Sequence, residues 1–504
     1  MPRRSLHLSG TDGAGLRAAL GDLRAELGLS AAFPPAVLAE AEQAAAHPRP
    51  LPNGVDATDL PLFTLAPPGA SGPDRAVYPE RRPGGFRVYL AVADLNAFVV
   101  PGGALDAETH RRAVAVDLPD VRVPLHPDVL GEGAAALLPD RDRPALLHQL
   151  DLDEFGELVF TDVRRAVVRS RARLEPAAVQ RELDSGAAEE PLTLLRDIGL
   201  LRQEVEEARG GISLDAPEQR IVPHGHGGYA LEYRVPLPVE TWYAQIALLT
   251  GTAAAGLMLA AGTGILRTRP AAPDGAVGRL RRVARALGVE WPHGTSYAEV
   301  VRSQSPARRA PAGPAGEVPT AAGTAVPPHH AAFLLECTGL LRGAGYTAFD
   351  GDPPGPAAVR HAALADDYAH CTAPLRRLVD RYTGELCLAA AEGAEPPEWV
   401  RAALPALPAE MARGAARADA AERGAADLVR TAVLRGRVGE VFDGWVVDVH
   451  PDTPTRGTVQ LREPAVSGLV DAGPHASGLP LGGPLRVRLA AAGPGRTPPR
   501  FTPA

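Results

Sequence analysis

The stretch DLPLFTLAPPGASGPDRAVYPE at residues 59–80, followed by FRVYLAVADLNAFVVPGGALDAETHRR at 86–112, decides the fold of this chain. Residues 86–99 are rich in apolar side chains of high β-propensity, which predicts a buried strand. Residues 146–174 alternate apolar and polar side chains around a turn at Glu154-Phe155-Gly156, which predicts two further strands. We therefore expect a strand-rich region in this part of the chain.

Helical patterns lie on both sides of the strand-rich region. Residues 14–46 carry alanine, leucine and charged residues at helical spacing, broken at Phe33-Pro34-Pro35, so two short helices are expected before a proline-rich link at 47–54. The other predicted features are helices at about 187–290, 329–345 and 357–425, a hairpin in VPHGHGGYALEYRVPLP at 222–238, and a surface loop at 303–328.

The end of the chain consists of short alternating segments separated by turns, from VLRGRVGEVFDGWVVDVH onward. About five such strands in roughly 70 residues predict a small OB-type barrel. We therefore predict an α+β fold, in which a mixed domain precedes a C-terminal five-stranded OB-like barrel.

The composition is that of a globular chain, and it disfavours several activities. Of 504 residues, 45% are hydrophobic and 22% are charged, and the formal net charge is −8. Nucleic-acid binding would therefore have to come from local arginine clusters. The chain contains no lysine, so all 52 residues counted as Lys+Arg are arginines. A Walker A loop, a protein kinase and a Schiff-base enzyme each need a lysine, and no nucleotide cofactor is expected.

The cysteines and the apolar pattern bear on the compartment. Cys337, Cys371 and Cys387 form no CxxC pair, which disfavours a structural zinc site or a disulfide framework. An odd number of cysteines suits a reducing compartment. The opening MPRRSLHLSGTDG has no apolar leader, and we expect no 18-residue apolar run later. We therefore expect a soluble, cytoplasmic protein that makes no membrane contact.

Several separated motifs resemble the RNB domain, the catalytic domain of the RNase II and RNase R exoribonucleases. The two stretches quoted first resemble the opening of that domain, and VRVPLHPDVLGEGAAALLPDRDRPAL at 121–146 resembles the part that follows. DDYAHCTAPLRRLVDRY at 366–382 resembles the family helix YAxxTSPIRRYxD. The motifs occur in the family order, and the resemblance covers most of residues 55–490.

The resemblance implies an enzyme that degrades single-stranded RNA from its 3′ end, one nucleotide at a time, at an acidic site that holds Mg²⁺. Carboxylates suit Mg²⁺ because this hard ion prefers oxygen ligands. The same resemblance divides the chain into a helical segment at 1–55, an RNB domain at 56–395, a helical connector at 396–430 and an OB-like RNA-binding barrel at 431–504.

The acidic loop departs from the family pattern T-I-D-x-x-x-(S/T)-x-D-x-D-(D/Q)-A. The framing threonine and alanine are present without a gap, at positions 64 and 76. The first two acidic positions hold Ala66 and Gly72, the third keeps Asp74, and the fourth holds Arg75. One carboxylate cannot hold two Mg²⁺ ions, and an adjacent guanidinium competes for its oxygens. We therefore expect hydrolysis of RNA to be weakened or lost.

Other positions bear on this expectation. Asp56, Asp59 and Glu80 lie near in the sequence and are the acids that would have to rebuild the site in a rearranged loop. Further departures from the family are Asp117 for a tyrosine, Ala373 for the serine of TSPIRR, Leu378 for an aromatic residue, and Gly131 for the serine before the retained Glu132.

Asp74 remains the candidate catalytic and Mg²⁺-binding residue, and Arg376 matches the catalytic arginine of the family. The alternative for Asp74 is a solvated aspartate paired with Arg75. The candidate RNA contacts are Tyr368, His370, Thr372 and Arg377. The alternatives are helix packing for Tyr368 and His370, and intramolecular salt bridges for the two arginines, which we place on a helix that starts at Pro374.

Further polar and aromatic groups admit two interpretations each. A set of arginines along one predicted strand is either an RNA-backbone track or an ordinary charged strand: Arg164, Arg165, Arg169, Arg171 and Arg173. Two histidine pairs indicate a glycine turn and a helix start more than metal ligands: His224 with His226, and His329 with His330. Phe442 and Trp445 are either a platform for stacking bases or the core of the barrel.

Three functions follow from these patterns. The first is an active Mg²⁺-dependent 3′→5′ exoribonuclease with a rearranged site. The second is an RNB protein that binds single-stranded RNA with weakened or lost catalysis, a pseudoenzyme. The third is a scaffold or regulatory protein that no longer binds RNA. The altered acidic loop disfavours the first, and the retained Arg376, Arg377 and barrel disfavour the third, so the sequence favours the second.

Overall fold

The computed structural model describes residues 14–50, 52–67, 69–70, 72–213, 218–224, 228–234, 236–304, 333–334, 336–341, 343–450, 452–464, 466–492 and 498–504. Most of the predicted loop at 303–328, as well as His226, His329 and His330, lies outside the described residues.

A seven-stranded sheet forms the centre of the first domain, in the order β1-β8-β7-β4-β3-β2-β9. Its strands are β1 Val55–Ala57, β2 Phe63–Leu65, β3 Arg75–Arg82, β4 Gly85–Ala93, β7 Asp142–Asp153, β8 Leu158–Arg169 and β9 Ala172–Leu174. The short strands β5 Val116–Asp117 and β6 Arg122–Val123 pair separately. The predicted strand at 86–99 and the hairpin around 154–156 are confirmed as β4 and the β7–β8 pair. Alternating side chains of β4, among them Val88, Leu90 and Val92, are buried in an apolar core.

Eight α-helices lie between residues 14 and 303 in the described part of the chain. They are α1 Ala14–Glu26, α2 Pro35–Ala46, α3 Ala104–Arg112, α4 Pro176–Ser185, α5 Glu190–Ala208, α6 Pro238–Ala261, α7 Asp274–Ala286 and α8 Tyr297–Ser303. The two predicted N-terminal helices are confirmed as α1 and α2, and Pro35 stands in the first turn of α2, where its missing N–H costs nothing. A π-helix spans Val129–Ala134.

Helix α6 contradicts one expectation from the sequence. It is long and apolar enough to cross a membrane, so an apolar run of that length does exist. More than half of this apolar stretch, 56%, is buried inside the protein. A Cβ on Gly199 of α5 would lie 2.7 Å from the Trp242 ring of α6, so the two helices can approach this closely only because position 199 is glycine. Helix α6 is therefore the core helix of the domain.

Strand pairing replaces part of the predicted helical region. The hairpin at 222–238 is confirmed as β10 Glu218–His224 and β11 Gly228–Arg234. The prediction of helix at about 187–290 is wrong at β12 Thr263–Thr268, which pairs with β13 Gly345–Asp350, and that of helix at 357–425 is wrong at β14 Arg360–His361, which pairs with β15 Asp366–Asp367. Within the predicted helix at 329–345, the described residues 333–334 and 336–337 are helical and lead into a 3-10 helix at Thr338–Leu341. Regular helix resumes in α9 Leu378–Glu392, α10 Glu398–Ala403 and α11 Leu407–Leu434.

The segment 368–377 is a turn, although the sequence predicts a helix there. Pro374 disfavours helical geometry at Ala373, the residue before it. The Asp380 carboxylate accepts a hydrogen bond from the Ala373 N–H at 2.6 Å and two from the Arg377 guanidinium at 2.7 and 2.8 Å. Helix α9 therefore begins at Leu378, and the predicted helix start at Pro374 is wrong.

The C-terminal region is a closed five-stranded barrel, as the sequence predicts. Its strands are β16 Val441–His450, β17 Thr453–Leu461, β18 Ser467–Asp471, β19 Pro484–Ala491 and β20 Arg500–Pro503. The Phe442 ring is buried and packs edge-on against Phe501, with ring centroids 6.3 Å apart. Phe442 therefore belongs to the barrel core, whereas Trp445 on the same strand is half-buried. The predicted α+β fold with an OB-like barrel is confirmed.

Candidate functional site

Asp74 stands at the end of the altered acidic loop, directly before strand β3. Its side chain is 5% exposed. Oδ1 accepts a hydrogen bond from the Leu375 N–H at 2.8 Å, and Oδ2 lies 2.7 Å from Arg376 Nε in an ion pair. The interpretation of Asp74 as a solvated aspartate paired with Arg75 is therefore wrong. The fold instead brings the loop and the turn at 368–377 together and joins two predicted catalytic residues directly.

Arg75 takes a different partner. Its guanidinium lies over the Tyr243 ring of α6, 4.9 Å from the ring centroid, and the Tyr243 hydroxyl donates to the Arg75 carbonyl at 3.3 Å. The Arg75 Nε is buried and makes no hydrogen bond within the described residues. Burial raises the pKa of Tyr368 well above its usual range, and the nearby charges of Arg377 and Arg75 oppose that shift. Arg75 is thus held against α6, directly beside Asp74 in the sequence.

The position of the second family acid is sterically closed. A Cβ at Gly72 would overlap the Gly131 carbonyl oxygen and lie 2.7 Å from the Ala136 Cβ, closer than folded proteins tolerate. The Gly72 N–H donates to Glu132 Oε2 at 2.6 Å, while Glu132 Oε1 accepts from Arg122 at 2.8 Å. Glu132, which family resemblance marks as retained, thus caps the loop. A carboxylate at position 72 would require the π-helix to move.

The remaining acids near the loop are engaged elsewhere. The exposed Asp56 accepts hydrogen bonds from the Thr58 N–H and hydroxyl at 2.9 and 2.7 Å. Glu80 lies on β3 opposite Arg87, and its carboxylate is 4.0 Å from that guanidinium. Asp59 is exposed in the turn after β1. The structure thus gives no support for rescue of the acidic site by these side chains.

The residues present do not fit the Mg²⁺ that the resemblance implies. A magnesium site needs oxygen ligands free to coordinate, usually from more than one carboxylate together with water. Asp74 Oδ1 accepts the Leu375 N–H, Asp74 Oδ2 is in an ion pair with Arg376, and Ala66 offers no side-chain oxygen. In the described part of the chain, no cluster of three or more His, Cys, Asp or Glu side chains is arranged to hold a metal ion.

The predicted RNA contacts lie on the turn at 368–377, mostly facing inward. The Tyr368 ring is buried and packs edge-on against His361 and His370, with centroids 5.8 and 5.5 Å apart. His370 Nδ1 is 2.7 Å from the Tyr346 hydroxyl, and burial holds the pKa of His370 well below its usual range. The imidazole is therefore neutral at physiological pH. Thr372 is also buried, so base stacking on these side chains stays a prediction.

The two arginines of the turn differ in what they offer a ligand. Burial lowers the pKa of Arg377, but the Asp380 carboxylate outweighs this effect and raises it well above the usual range. This ion pair is the intramolecular alternative named from the sequence. The Arg376 side chain pairs with Asp74 yet is 40% exposed, so its guanidinium is the accessible cation of the turn.

The arginines at 164–173 have partners within the domain and do not form a free track. Arg165 is largely buried, lies 3.1 Å from Asp94 Oδ2 and pairs with Glu385 of α9. Arg164 and Arg169 donate to the carboxylates of Asp162 and Asp142. Arg171 and Arg173 donate to the carbonyls of Thr58 and Ala70. The last of these contacts ties β9 to the altered acidic loop.

Sequence reasoning missed three parts of this site. They are the closure of position 72, the cap by Glu132, and the Tyr243 ring under Arg75. The only signal for the cap was that Glu132 remains while the adjacent family serine is Gly131. The Arg75–Tyr243 contact joins distant segments and has no local sequence signature.

Comparison with known proteins agrees with the architecture. The RNB domain matches residues 55–391, and the RNase II-type exonuclease C-terminal S1 domain matches residues 440–504. Ribonuclease R of Escherichia coli K12 is 27% identical over 449 residues, covering 82% of this chain and 51% of the relative. The chain thus spans about half the length of this curated relative.

Solved structures share the fold. RNase R of Mycoplasma genitalium, in complex with ribose-methylated single-stranded RNA, superposes with a TM-score of 0.81 at 17% identity, covering 97% of this chain and 78% of that one. Yeast Ssd1, described as a pseudonuclease, has a TM-score of 0.67 at 14% identity, covering 90% and 55%. The matched domains and their order show that this chain belongs to the RNB family and is homologous to the RNase R exoribonucleases.

Proposed function

We propose that this protein binds the 3′ end of single-stranded RNA and hydrolyses it very slowly or not at all. One observation carries the proposal: the acidic loop keeps a single carboxylate, Asp74, and both of its oxygens are engaged by Leu375 and Arg376. RNB-family nucleases are typically metal-dependent. A chain that has lost the oxygen ligands of its metal loses the catalytic unit as a whole, and residues of one unit act together.

Binding of RNA is supported independently of catalysis. Arg376 retains an accessible guanidinium at the family position, and the five-stranded barrel of residues 441–503 is an architecture that commonly binds oligonucleotides. Positively charged side chains supply most of the affinity for a nucleic-acid backbone. The structural neighbour from M. genitalium was solved with RNA, and we extend RNA binding to this chain by proposal.

The two other functions make different predictions. Homology to Ribonuclease R and retention of Arg376 favour an active, Mg²⁺-dependent exoribonuclease. The structural likeness to a pseudonuclease is compatible with a non-catalytic role, including one as a scaffold. An active enzyme shortens RNA from the 3′ end, a binder holds intact RNA, and a scaffold does neither.

A filter-binding titration with a salt series separates these functions. 5′-labelled single-stranded RNA is titrated with the protein in Mg²⁺, and each bound sample is run on a denaturing gel. We expect intact RNA and an association constant whose logarithm falls linearly with the logarithm of salt concentration. Shortened RNA would establish the enzyme, and absence of binding at low salt would establish the scaffold.

A further inference from the structure

The altered loop has changed the sign of the charge that a ligand would meet. Two guanidiniums pair with two carboxylates, Arg376 with Asp74 and Arg377 with Asp380, and Arg75, the residue after Asp74, adds a third guanidinium. Glu132, whose carboxylate accepts the Gly72 N–H of the loop, is neutralised by an ion pair with Arg122 at 2.8 Å. Arg173 of β9 adds a fourth guanidinium, which donates to the Ala70 carbonyl of the loop at 2.6 Å. A site of this balance attracts anions, whereas an acidic site attracts metal cations.

We propose that the loop and the turn at 368–377 form a metal-independent phosphate site, which binds RNA ending in a 3′-phosphate more tightly than RNA ending in a 3′-hydroxyl. The inference rests on the proposed function, because it names the RNA end that the same site prefers. The ligand is a phosphate monoester at the end of a single strand. Arg75 and Arg376 are its contacts.

The geometry supports the part played by Arg376. Its Nε lies 2.7 Å from Asp74 Oδ2 in an ion pair, without a well-aligned hydrogen bond, while 40% of the side chain stays open to solvent. An arginine whose Nε is held by a carboxylate still has four N–H donors on its two terminal nitrogens. These donors form a planar fork that matches phosphate oxygens bidentately. Asp74 thus acts as a positioning residue for a phosphate-binding arginine.

Arg75 supplies the second cation at the position where relatives carry an acid or glutamine. Its guanidinium packs over the Tyr243 ring, 4.9 Å from the ring centroid, and its Nε has no hydrogen-bond partner among the described residues. Arg75 directly follows Asp74, whose carboxylate contacts Leu375 and Arg376 of the turn. The Arg75 side chain is half-buried, so a phosphate between the loop and the turn would accept from its terminal nitrogens and not from the buried Nε.

The chemistry of the RNA end explains the preference. A phosphate monoester carries about −1.5 to −2 charges at neutral pH and presents three acceptor oxygens. An internal phosphodiester carries about one charge, and a terminal hydroxyl carries none. In a metal-dependent site a terminal phosphate would add negative charge beside several carboxylates. In this site the terminal phosphate meets guanidiniums, so no metal is needed to offset its negative charge.

The test compares two RNAs that differ only at the 3′ end. The native protein is titrated in EDTA with 5′-labelled single-stranded RNA ending in a 3′-hydroxyl or a 3′-phosphate. We expect the phosphate-ended RNA to bind about tenfold more tightly, in line with added charge-assisted hydrogen bonds in a half-exposed site. Equal affinities, or a preference that appears only with Mg²⁺, would overturn the inference. No binding of either RNA would instead overturn the proposed function.

Two variants on one strand supply the matched control. Arg75→Gln should remove the preference, so that the phosphate-ended RNA binds no more tightly than the hydroxyl-ended RNA. Arg81→Gln changes an exposed arginine of the same strand, which pairs with Glu190 and Asp197 at 3.8 and 3.7 Å, and it should preserve the preference. If both variants behave alike, Arg75 is not the contact. Circular dichroism and thermal unfolding of each variant establish that it folds.

Inorganic phosphate presents the same acceptor oxygens as the 3′-phosphate of an RNA and is the other ligand that fits this site. Inorganic phosphate is added to both titrations in EDTA at constant ionic strength. We expect it to weaken binding of the phosphate-ended RNA more than binding of the hydroxyl-ended RNA, because inorganic phosphate competes directly with the terminal phosphate for the same guanidiniums. Calorimetric binding of inorganic phosphate that Arg75→Gln abolishes, together with indifference to the RNA end, would assign the site to free phosphate and contradict the RNA-end preference.

Discussion

Asp74 Oδ2 lies 2.7 Å from Arg376 Nε, so the last carboxylate of the acidic loop forms an ion pair with the arginine that matches the catalytic arginine of the family. The same carboxylate accepts the Leu375 N–H at 2.8 Å. The pair joins the start of β3 to the turn before α9. In this chain Asp74 therefore links the acidic loop to the turn before α9.

The first prediction concerns the stability supplied by Asp74. Asp74→Ala leaves the buried Leu375 N–H without its acceptor and should lower the free energy of unfolding by about 1–3 kcal/mol. Asp74→Asn keeps an acceptor oxygen and should cost less. Urea unfolding of the metal-free protein measures both. Asp59→Ala changes an exposed residue and is the control, so its free energy of unfolding should change little. If Asp74→Ala also leaves the free energy of unfolding unchanged, the contact is not structural.

The second prediction tests the closure at Gly72. Gly72→Ala places a methyl group against the Gly131 carbonyl and should lower the free energy of unfolding by about 1–3 kcal/mol through overpacking. Gly133→Ala is the matched control in the adjacent π-helix, because the nearest atom to its Cβ is 3.5 Å away. Thermal unfolding of the two variants gives the comparison. Equal stability would show that the loop has room for a side chain at position 72.

The third prediction concerns pH and His148. Burial lowers the pKa of His148 from 6.5 to about 4, and neither ring nitrogen has a hydrogen-bond partner among the described residues. Between those values the unfolded chain binds a proton that the folded protein excludes. Stability is therefore fully present above pH 6.5 and falls by up to about 3 kcal/mol as the pH drops toward 4.

His148→Leu should flatten that loss, because the substituted side chain does not titrate. It should also leave the free energy of unfolding at pH 7.5 unchanged or higher, since an unpartnered polar group is replaced by an apolar one. Guanidinium unfolding across the pH range is the measurement. The exposed His47→Leu should retain the native pH profile, and an unaltered profile in His148→Leu would contradict the assignment.

The fourth prediction separates RNA contacts from structural arginines. Arg376→Ala should weaken RNA binding and reduce the slope of log affinity against log salt by about one phosphate contact. Arg169→Ala removes a surface arginine that pairs with Asp142 at 2.6 Å and should leave affinity and slope near their native values. Filter binding at four salt concentrations gives both slopes. If the two variants behave identically, the turn at 368–377 does not touch the RNA backbone.

Local patterns sufficed for much of the fold. The apolar run at 86–99 became β4, and the turn at 154–156 joins β7 to β8. The predicted five-stranded barrel also formed. These elements depend on side-chain alternation and turn residues, which are visible in a short window of sequence.

Local sequence patterns could not predict the turn at 368–377 or the environment of Asp74. The helix predicted there fails because Asp380, several residues away, takes the Ala373 N–H and the Arg377 guanidinium. The alternative of a solvated Asp74 fails because its partners, Leu375 and Arg376, are distant in sequence. The missing acids at 66, 72 and 75 could be read directly from the motif, but the steric closure of position 72 required the fold.

The most direct test of the central claim is a nuclease assay on the native protein. 5′-labelled single-stranded RNA is incubated with the purified protein in Mg²⁺ or Mn²⁺, with Ribonuclease R of E. coli as the positive control and filter binding run in parallel. We predict bound but intact RNA under conditions in which the control degrades it. A ladder of products shortened processively from the 3′ end would contradict the claim, because it would show that one engaged carboxylate and its neighbours still support catalysis.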